Sequence, residues 1–217
     1  MAQIDEIDPA TLQIITTAAL LHDVGKTRVA LDILNKPGKF EPEELAEMRK
    51  HADYSGDILR EEGGFTEEAI AIATQHHEMM DGSGYPRGLK GEEIHPFARI
   101  TAVADVYDAL TAKRVYKDGM PMHQALLIIL KNRGTEFDEH AVELLVKTVG
   151  FYPVASLVAL STGEMALVYQ PNPDNPRQPT IGILTNQKQA LRATPYIVDL
   201  SRADANGRGT RTDARSR

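Results

Sequence analysis

Two stretches of this chain carry residues that could bind metal and do hydrolytic chemistry. In Leu21–Lys26, His22 and Asp23 are adjacent and Lys26 follows. In Gln75–Pro86, His76 and His77 are adjacent, and a glycine-rich loop carrying Gly84 and Tyr85 comes directly after. An imidazole nitrogen gives a cation one strong bond, and a neighbouring carboxylate has two oxygens that can bridge two cations. If the helix continues past His22, Lys26 lies on the same face and can point at whatever the metals hold. His22 and Asp23 also interrupt an otherwise apolar helix (Ala18–Leu21), where an unpaired charge would be costly. That placement favours a functional site. Asp105, further downstream, adds a second carboxylate.

Composition narrows the chemistry. The chain has 217 residues and no cysteine. Disulfides, zinc-thiolate sites, iron–sulfur clusters and thiol nucleophiles are therefore excluded, and His, Asp and Glu must hold any metal. Such donors suit Fe or Mn, and less exclusively Zn or Ni. The net charge of -7 argues against a surface that coats DNA or RNA. It leaves a small phosphate ligand open, because bound cations dominate the field locally. No apolar run approaches the ~18–20 residues of a membrane span, and Met1 does not open a signal peptide. The cytoplasm is the expected location.

The elements that must position these residues read as mainly α. Asp8-Pro9 caps a helix expected over about 9–24, with Leu12, Ile15, Ala19 and Leu20 at helical spacing. Asn35–Gly38 is a loop. A second helix is expected over about 43–62, ending at Gly63-Gly64, and a third begins at Thr66, with His76 and His77 at its C-terminal end. Residues 80–95 form a long loop. A helix follows from Pro96 to about Thr111, with Phe97, Ile100, Val103 or Ala104, Tyr107 and Leu110 as its apolar face. Thr101, Asp105 and Asp108 form a separate polar stripe. Two more helices are expected at about 121–132 and 138–149.

The pattern changes near Gly150. Ser156–Leu160 and Met165–Tyr169 flank Ser161–Glu164, a hairpin signature, and two more strand-like runs are Thr180–Leu184 and Tyr196–Leu200. The expected division is a helical domain over 1–150, a small antiparallel β-unit over 151–201, and a disordered tail over 202–217 that lacks large apolar residues.

Several blocks then resemble the HD-GYP family of metal-dependent cyclic di-GMP phosphodiesterases. They are Ala18–Lys26, Ile33–Gly38, His76–Glu78, Asp81–Gly91, Ala98–Thr111, Arg114–Lys117 and Gly134–Asp138. The resemblance implies an HD-type helical bundle carrying the small C-terminal β-unit. It implies two divalent metals, Fe or Mn, held by His22, Asp23, His51, His76, His77 and Asp105. His51 is assigned by the resemblance alone, since in Arg49–Asp53 it looks like part of a solvated helix face. Lys26 and Asp23 are implied to be catalytic, and Gly84, Tyr85, Arg114 and Lys117 to contact the dinucleotide. Tyr85 offers a face for a guanine to stack on. Arg114 and Lys117, on a continuing helix, would hold a second phosphate. His95, His123 and His140 are read as non-ligands.

One departure qualifies the resemblance. Family members carry a further helix before the His-Asp helix, with a histidine that completes one metal site, whereas residues 1–21 contain no histidine. One metal is then left with His51, His76, His77 and Asp23, and the other with only His22, Asp23 and Asp105. The chain is expected to be a C-terminal fragment without its sensor or receiver domain, with apolar surface exposed near Leu20, Leu21, Phe97 and Tyr107. The first reading is hydrolysis of cyclic di-GMP to pGpG or GMP by a metal-bridging hydroxide. The alternative is a catalytically weak or inactive module that binds cyclic di-GMP or a partner. Candidate partners are a diguanylate cyclase domain, an upstream sensor or receiver domain, and a second copy in a homodimer. A third reading is an HD-type phosphohydrolase of other nucleotides or cyclic dinucleotides, against which the intact Gly84-Tyr85-Pro86 loop counts.

Overall fold

The structure is a computed structural model describing residues 7–112, 119–202 and 211–212. Helix α1 spans Pro9–Leu21. The Asp8 carboxylate accepts from the amides of Ala10 (2.9 Å) and Thr11 (3.1 Å), so the expected cap is present. The helix ends earlier than expected. His22 is its C-cap, and the chain tightens into a 3-10 turn over Val24–Arg28. A short helix, α2 (Leu31–Leu34), precedes the loop at Asn35–Gly38. The helix expected over 43–62 is two, α3 (Pro42–Arg49) and α4 (His51–Glu62). Between them the Lys50 amide donates to the Glu47 carbonyl at 3.1 Å, an i→i−3 bond that tightens the last turn of α3.

Helix α5 (Glu67–Gln75) is capped by Thr66, and α6 (Pro96–Thr111) begins at Pro96 behind His95. α7 (Met122–Lys131) and α8 (Glu139–Val149) follow. Helices α1, α4, α5 and α6 share apolar packing. Ala18, Ala69 and Ile72 form one cluster with Ile14, Phe65 and Phe97, and Leu59, Ile70 and Ala73 form another with Leu21 and Phe65. On α6 the expected apolar face is only partly the buried one. Ala98, Thr101, Ala102 and Val103 are buried, Phe97, Ile100, Tyr107 and Leu110 are half-buried, and Ala104 and Asp108 are exposed. Small side chains allow close approach, and Thr101 goes inside because its hydroxyl donates to the Phe97 carbonyl at 2.9 Å.

The β region is an antiparallel meander in the order β1 (Leu157–Ala159), β2 (Met165–Gln170), β3 (Thr180–Thr185), β4 (Leu191–Asp199), β5 (Arg211–Thr212). The hairpin at Ser161–Glu164 pairs Ala159 with Met165. One face buries Ala166, Val168, Ile181, Ile183 and Val198. Two expectations are corrected here. β4 starts at Leu191 rather than Tyr196, and Arg211–Thr212 pairs with Ile197 and Val198 inside the expected disordered tail. A free strand edge is a ready template, which composition alone does not register.

The chain divides into two compact units, one of residues 1–120 with 128–142 and the other of 121–127 with 143–217. That division falls within α7 and α8 rather than at residue 150. Among the described residues no helix is long and apolar enough to cross a membrane.

Candidate metal centre

The first unit gathers four histidines and two carboxylates from α1, α4, α5 and α6. His22 is placed by the end of α1, His51 by the first residue of α4, and His76 and His77 by the end of α5. Asp105 lies on α6, one turn beyond Thr101 and Ala102. The 3-10 turn carrying Asp23 reaches His51 because Gly25 has no side chain. A Cβ there would lie 2.1 Å from the His51 carbonyl oxygen and 2.4 Å from the Ser55 amide nitrogen. The Gly25 amide donates instead to the Ser55 hydroxyl at 2.8 Å.

The geometry sets the tautomer of three imidazoles. Nδ1 of His22, His51 and His76 faces the carbonyl three residues earlier, of Ala19 (2.5 Å), Met48 (2.6 Å) and Ala73 (2.9 Å). A carbonyl can only accept, so Nδ1 carries a hydrogen in each, and the neutral rings of His51 and His76 present a bare Nε2. The Nε2 atoms of all three imidazoles and Asp23 Oδ1 are buried without a hydrogen-bond partner. The bare Nε2 atoms of His51 and His76, aimed at the Asp23 carboxylate, are acceptors facing an acceptor and are costly unless a cation satisfies them.

The carboxylates sit between the imidazoles. Asp23 Oδ1 faces Nε2 of His51 (3.3 Å) and His76 (3.8 Å), while its Oδ2 faces Nε2 of His22 (3.5 Å). Asp105 likewise turns Oδ1 to His22 (3.7 Å) and Oδ2 to His77 (3.9 Å). Asp23, His51, His76 and His77 each offer a donor atom within 4.8 Å of the others, a group that could hold a metal ion. The remaining set, His22 with the two shared carboxylates, has a single imidazole.

Electrostatics agree with a ligand role. Burial, reinforced by neighbouring histidines, pushes His76 down to about 3 and His77 down to about 4, and burial lowers His51. All three are neutral at pH 7, as ligation requires. For His22, burial opposes the charge, but the carboxylates of Asp105 and Asp23 outweigh it and raise it to about 10. A proton there occupies the place of a cation. Burial also opposes ionisation of Asp23 and Asp105, yet His22 holds both below the usual carboxylate range, with Lys26 adding to Asp23.

Lys26 is not on a helical face shared with His22. It lies in the 3-10 turn, three residues from Asp23, and its ammonium donates to Asp23 Oδ2. Tyr85 stacks on His77, with ring centroids 4.6 Å apart and planes at 29°. Its amide donates to the His77 carbonyl at 3.1 Å. Gly84 permits this contact, since a Cβ would come within 2.4–2.6 Å of backbone atoms of His77, Glu78 and Met79. Arg114 and Lys117 lie outside the described residues.

Two residues that the sequence left without a role stand out. Glu78 is 2% exposed, and its carboxylate accepts from the amides of Arg87 (2.8 Å) and Leu89 (3.0 Å), tying the Tyr85 loop to the histidine pair. Arg49 places its guanidinium 4.9 Å from the centre of the Tyr85 ring. Adjacency to His77 was the one signal for Glu78; Arg49 reads as surface.

An HD domain family model matches residues 1–141. A cyclic di-GMP phosphodiesterase of Pseudomonas aeruginosa is 36% identical over 88% of this chain and 46% of its own. A 3'3'-cGAMP-specific phosphodiesterase of Vibrio cholerae is 46% identical over 61% of this chain and 26% of its own. Among solved structures, an HDG"Y"P protein from Bdellovibrio bacteriovorus matches with a TM-score of 0.53 and 26% identity, covering 66% of this chain and 47% of that one. The chain spans less than half the length of each of these relatives.

Proposed function

The chain belongs to the HD domain family, in its HD-GYP branch, and on that premise we propose that it is a metal-dependent phosphodiesterase of cyclic dinucleotides, with cyclic di-GMP as substrate. The observation that carries the reading is the convergence of three orphaned Nε2 atoms on two carboxylates, each shared between imidazoles. Asp23, His51, His76 and His77 would hold one cation, and His22, Asp23 and Asp105 a second. Fe or Mn suits these donors and would supply Lewis-acid charge for the phosphoryl oxygens and for activating a water.

The other roles fall to side chains. Lys26, held by Asp23 at the rim of the cluster, stabilises charge that develops on a phosphoryl oxygen or gives a proton to the leaving alkoxide. Tyr85, fixed against His77, supplies a flat apolar face for a guanine. Cleavage of one ester bond yields the linear dinucleotide pGpG, and a second cut yields GMP. Relatives are named for cyclic di-GMP and for 3'3'-cGAMP alike, so the two substrates must be separated by assay.

The single imidazole in the second donor set favours a second reading, a module that binds the dinucleotide with little turnover. The deciding experiment loads the purified chain anaerobically with Fe(II) or Mn(II). Metal content, cyclic dinucleotide binding and product formation are then measured on one preparation. Metal-dependent cleavage of cyclic di-GMP is the expected outcome. Binding of metal and nucleotide without cleavage selects the second reading, and failure to bind either removes both.

A further inference from the structure

We infer that the Tyr85 ring, clamped by Glu78, is a positioning device that orients His77 as a metal ligand. The inference rests on the metal centre of the function proposed above. His22, His51 and His76 each have Nδ1 fixed by the carbonyl three residues earlier. His77 has no such bond. Among the described residues neither of its ring nitrogens is hydrogen-bonded, and its Nδ1 lies 3.9 Å from Asp105 Oδ2. A ligating imidazole ordinarily needs a partner that sets its orientation. Here that partner is a ring. Tyr85 is stacked on His77 with centroids 4.6 Å apart and planes at 29°, whereas His51 and His76 meet His77 at 84° and 46°. Turning the imidazole would drive its edge into the stacked face, so the stack limits that rotation.

Glu78 holds the ring in that place. It follows His77 in the chain and is 2% exposed. Its Oε1 accepts from the Arg87 amide at 2.8 Å and its Oε2 from the Leu89 amide at 3.0 Å. Between those two residues Gly88 has φ 66°, a left-handed conformation that lets both amides turn onto one carboxylate. The Tyr85 amide donates to the His77 carbonyl at 3.1 Å, and the Met80 amide donates to the Glu136 carbonyl at 2.9 Å. The loop is thus fastened on both sides of Tyr85, and its fastenings run to His77 and to the residue beside it. Arg99 of α6 lines one small cavity with Glu78, which sets a cation near the buried carboxylate. Both Glu78 oxygens are engaged by the loop, so Glu78 acts through Tyr85 rather than as a ligand.

The test titrates Mn(II) into the metal-free chain, with free Mn(II) read by electron paramagnetic resonance and no nucleotide present. Wild type is compared with Tyr85→Phe, Tyr85→Leu, Glu78→Gln and the double variant Glu78→Gln/Tyr85→Leu. Tyr85→Leu and Glu78→Gln should each weaken one Mn(II) by ~10–100-fold, the usual cost of losing a group that orients a ligand. Tyr85→Phe keeps the ring and should bind Mn(II) as wild type does. The double variant should be no weaker than the weaker single one, because both changes remove the same hold on His77. If Glu78→Gln does not fold, Tyr85→Leu against Tyr85→Phe still decides the part of the ring. Unchanged Mn(II) affinity in Tyr85→Leu overturns the inference but leaves the proposed function intact, since Tyr85 would then serve the nucleotide alone. Additive losses in the double variant also overturn it, because Glu78 would then not act through Tyr85. No Mn(II) binding by wild type overturns both the inference and the reading beneath it.

Discussion

Glu164, just before β2, and His51 and His76 of the helical unit are buried, yet the buried polar atoms of the two regions meet opposite fates. The Glu164 carboxylate accepts from Arg192 at 2.8 Å and from the Thr162 hydroxyl at 3.0 Å. Nearby, the Thr185 hydroxyl accepts from the Met165 amide at 2.8 Å. Those groups are satisfied within the protein and serve the sheet. In the helical unit, Nε2 of His22, His51 and His76 and Oδ1 of Asp23 have no hydrogen-bond partner. An unsatisfied buried group costs ~1–3 kcal/mol, so such a cluster is a net loss to folding unless something outside the chain completes it. A buried polar group with partners indicates structure, and several aimed at one point without partners indicate a ligand.

Replacing both His76 and His77 by alanine should break the comparison most severely. Metal stoichiometry by elemental analysis should fall and turnover should vanish, while the far-UV spectrum of the sheet is kept. Unchanged metal content would show that the cluster is not the binding site.

Lys26→Ala should keep its metal and lose ~10²–10³-fold in kcat, the usual cost of one electrostatic donor. Full activity in this variant would leave Lys26 as no more than the counter-ion of Asp23.

Glu164→Ala examines the opposite pole. It strands Arg192 and should lower stability by ~1–3 kcal/mol in denaturant titration. Metal content and kcat should not move. A metal defect in this variant would mean that the two kinds of buried polar group are not separate.

The smallest effect is a proton count. Above His76 and His77, at about 3 and about 4, and below His22, at about 10, His22 is the imidazole that still carries a proton. Metal must displace it, so binding at pH 8 should release about one proton, and affinity should rise as pH rises. Calorimetry in buffers of different ionisation enthalpy gives the count. Zero release would place His22 outside the ligand set. The same shifts have a sign for stability. Without metal, His76 and His77 should cost stability as pH falls below 6.5, and the contribution of His22 should fade as pH rises toward about 10.

Much of the fold was legible because its signals are local. Asp8-Pro9 marks the start of α1, Pro96–Thr111 has the bounds expected for α6, and Ser161–Glu164 announces a hairpin. Helix interruption by His22 and Asp23, and the doubled His76-His77, were enough to nominate a metal site. The absence of cysteine excludes thiolate chemistry, and the net negative charge argues against a nucleic-acid coat, whatever the fold.

Tertiary structure alone decided the rest, because those features depend on contacts between residues far apart in the chain. His51 reads as a solvated position, yet it is 2% exposed, because Gly25 lets the 3-10 turn close onto α4. Lys26 left the face of His22 when α1 stopped at Leu21, which turned its ammonium to Asp23. The sharing of Asp23 and Asp105 between imidazoles requires four helix segments to meet, and no spacing within one segment encodes it. Arg49 over Tyr85 and Glu78 beneath the loop follow from the same packing. A sequence sets which side chains could ligate or carry charge; only the packed chain decides which of their lone pairs are left facing one another with nothing between them.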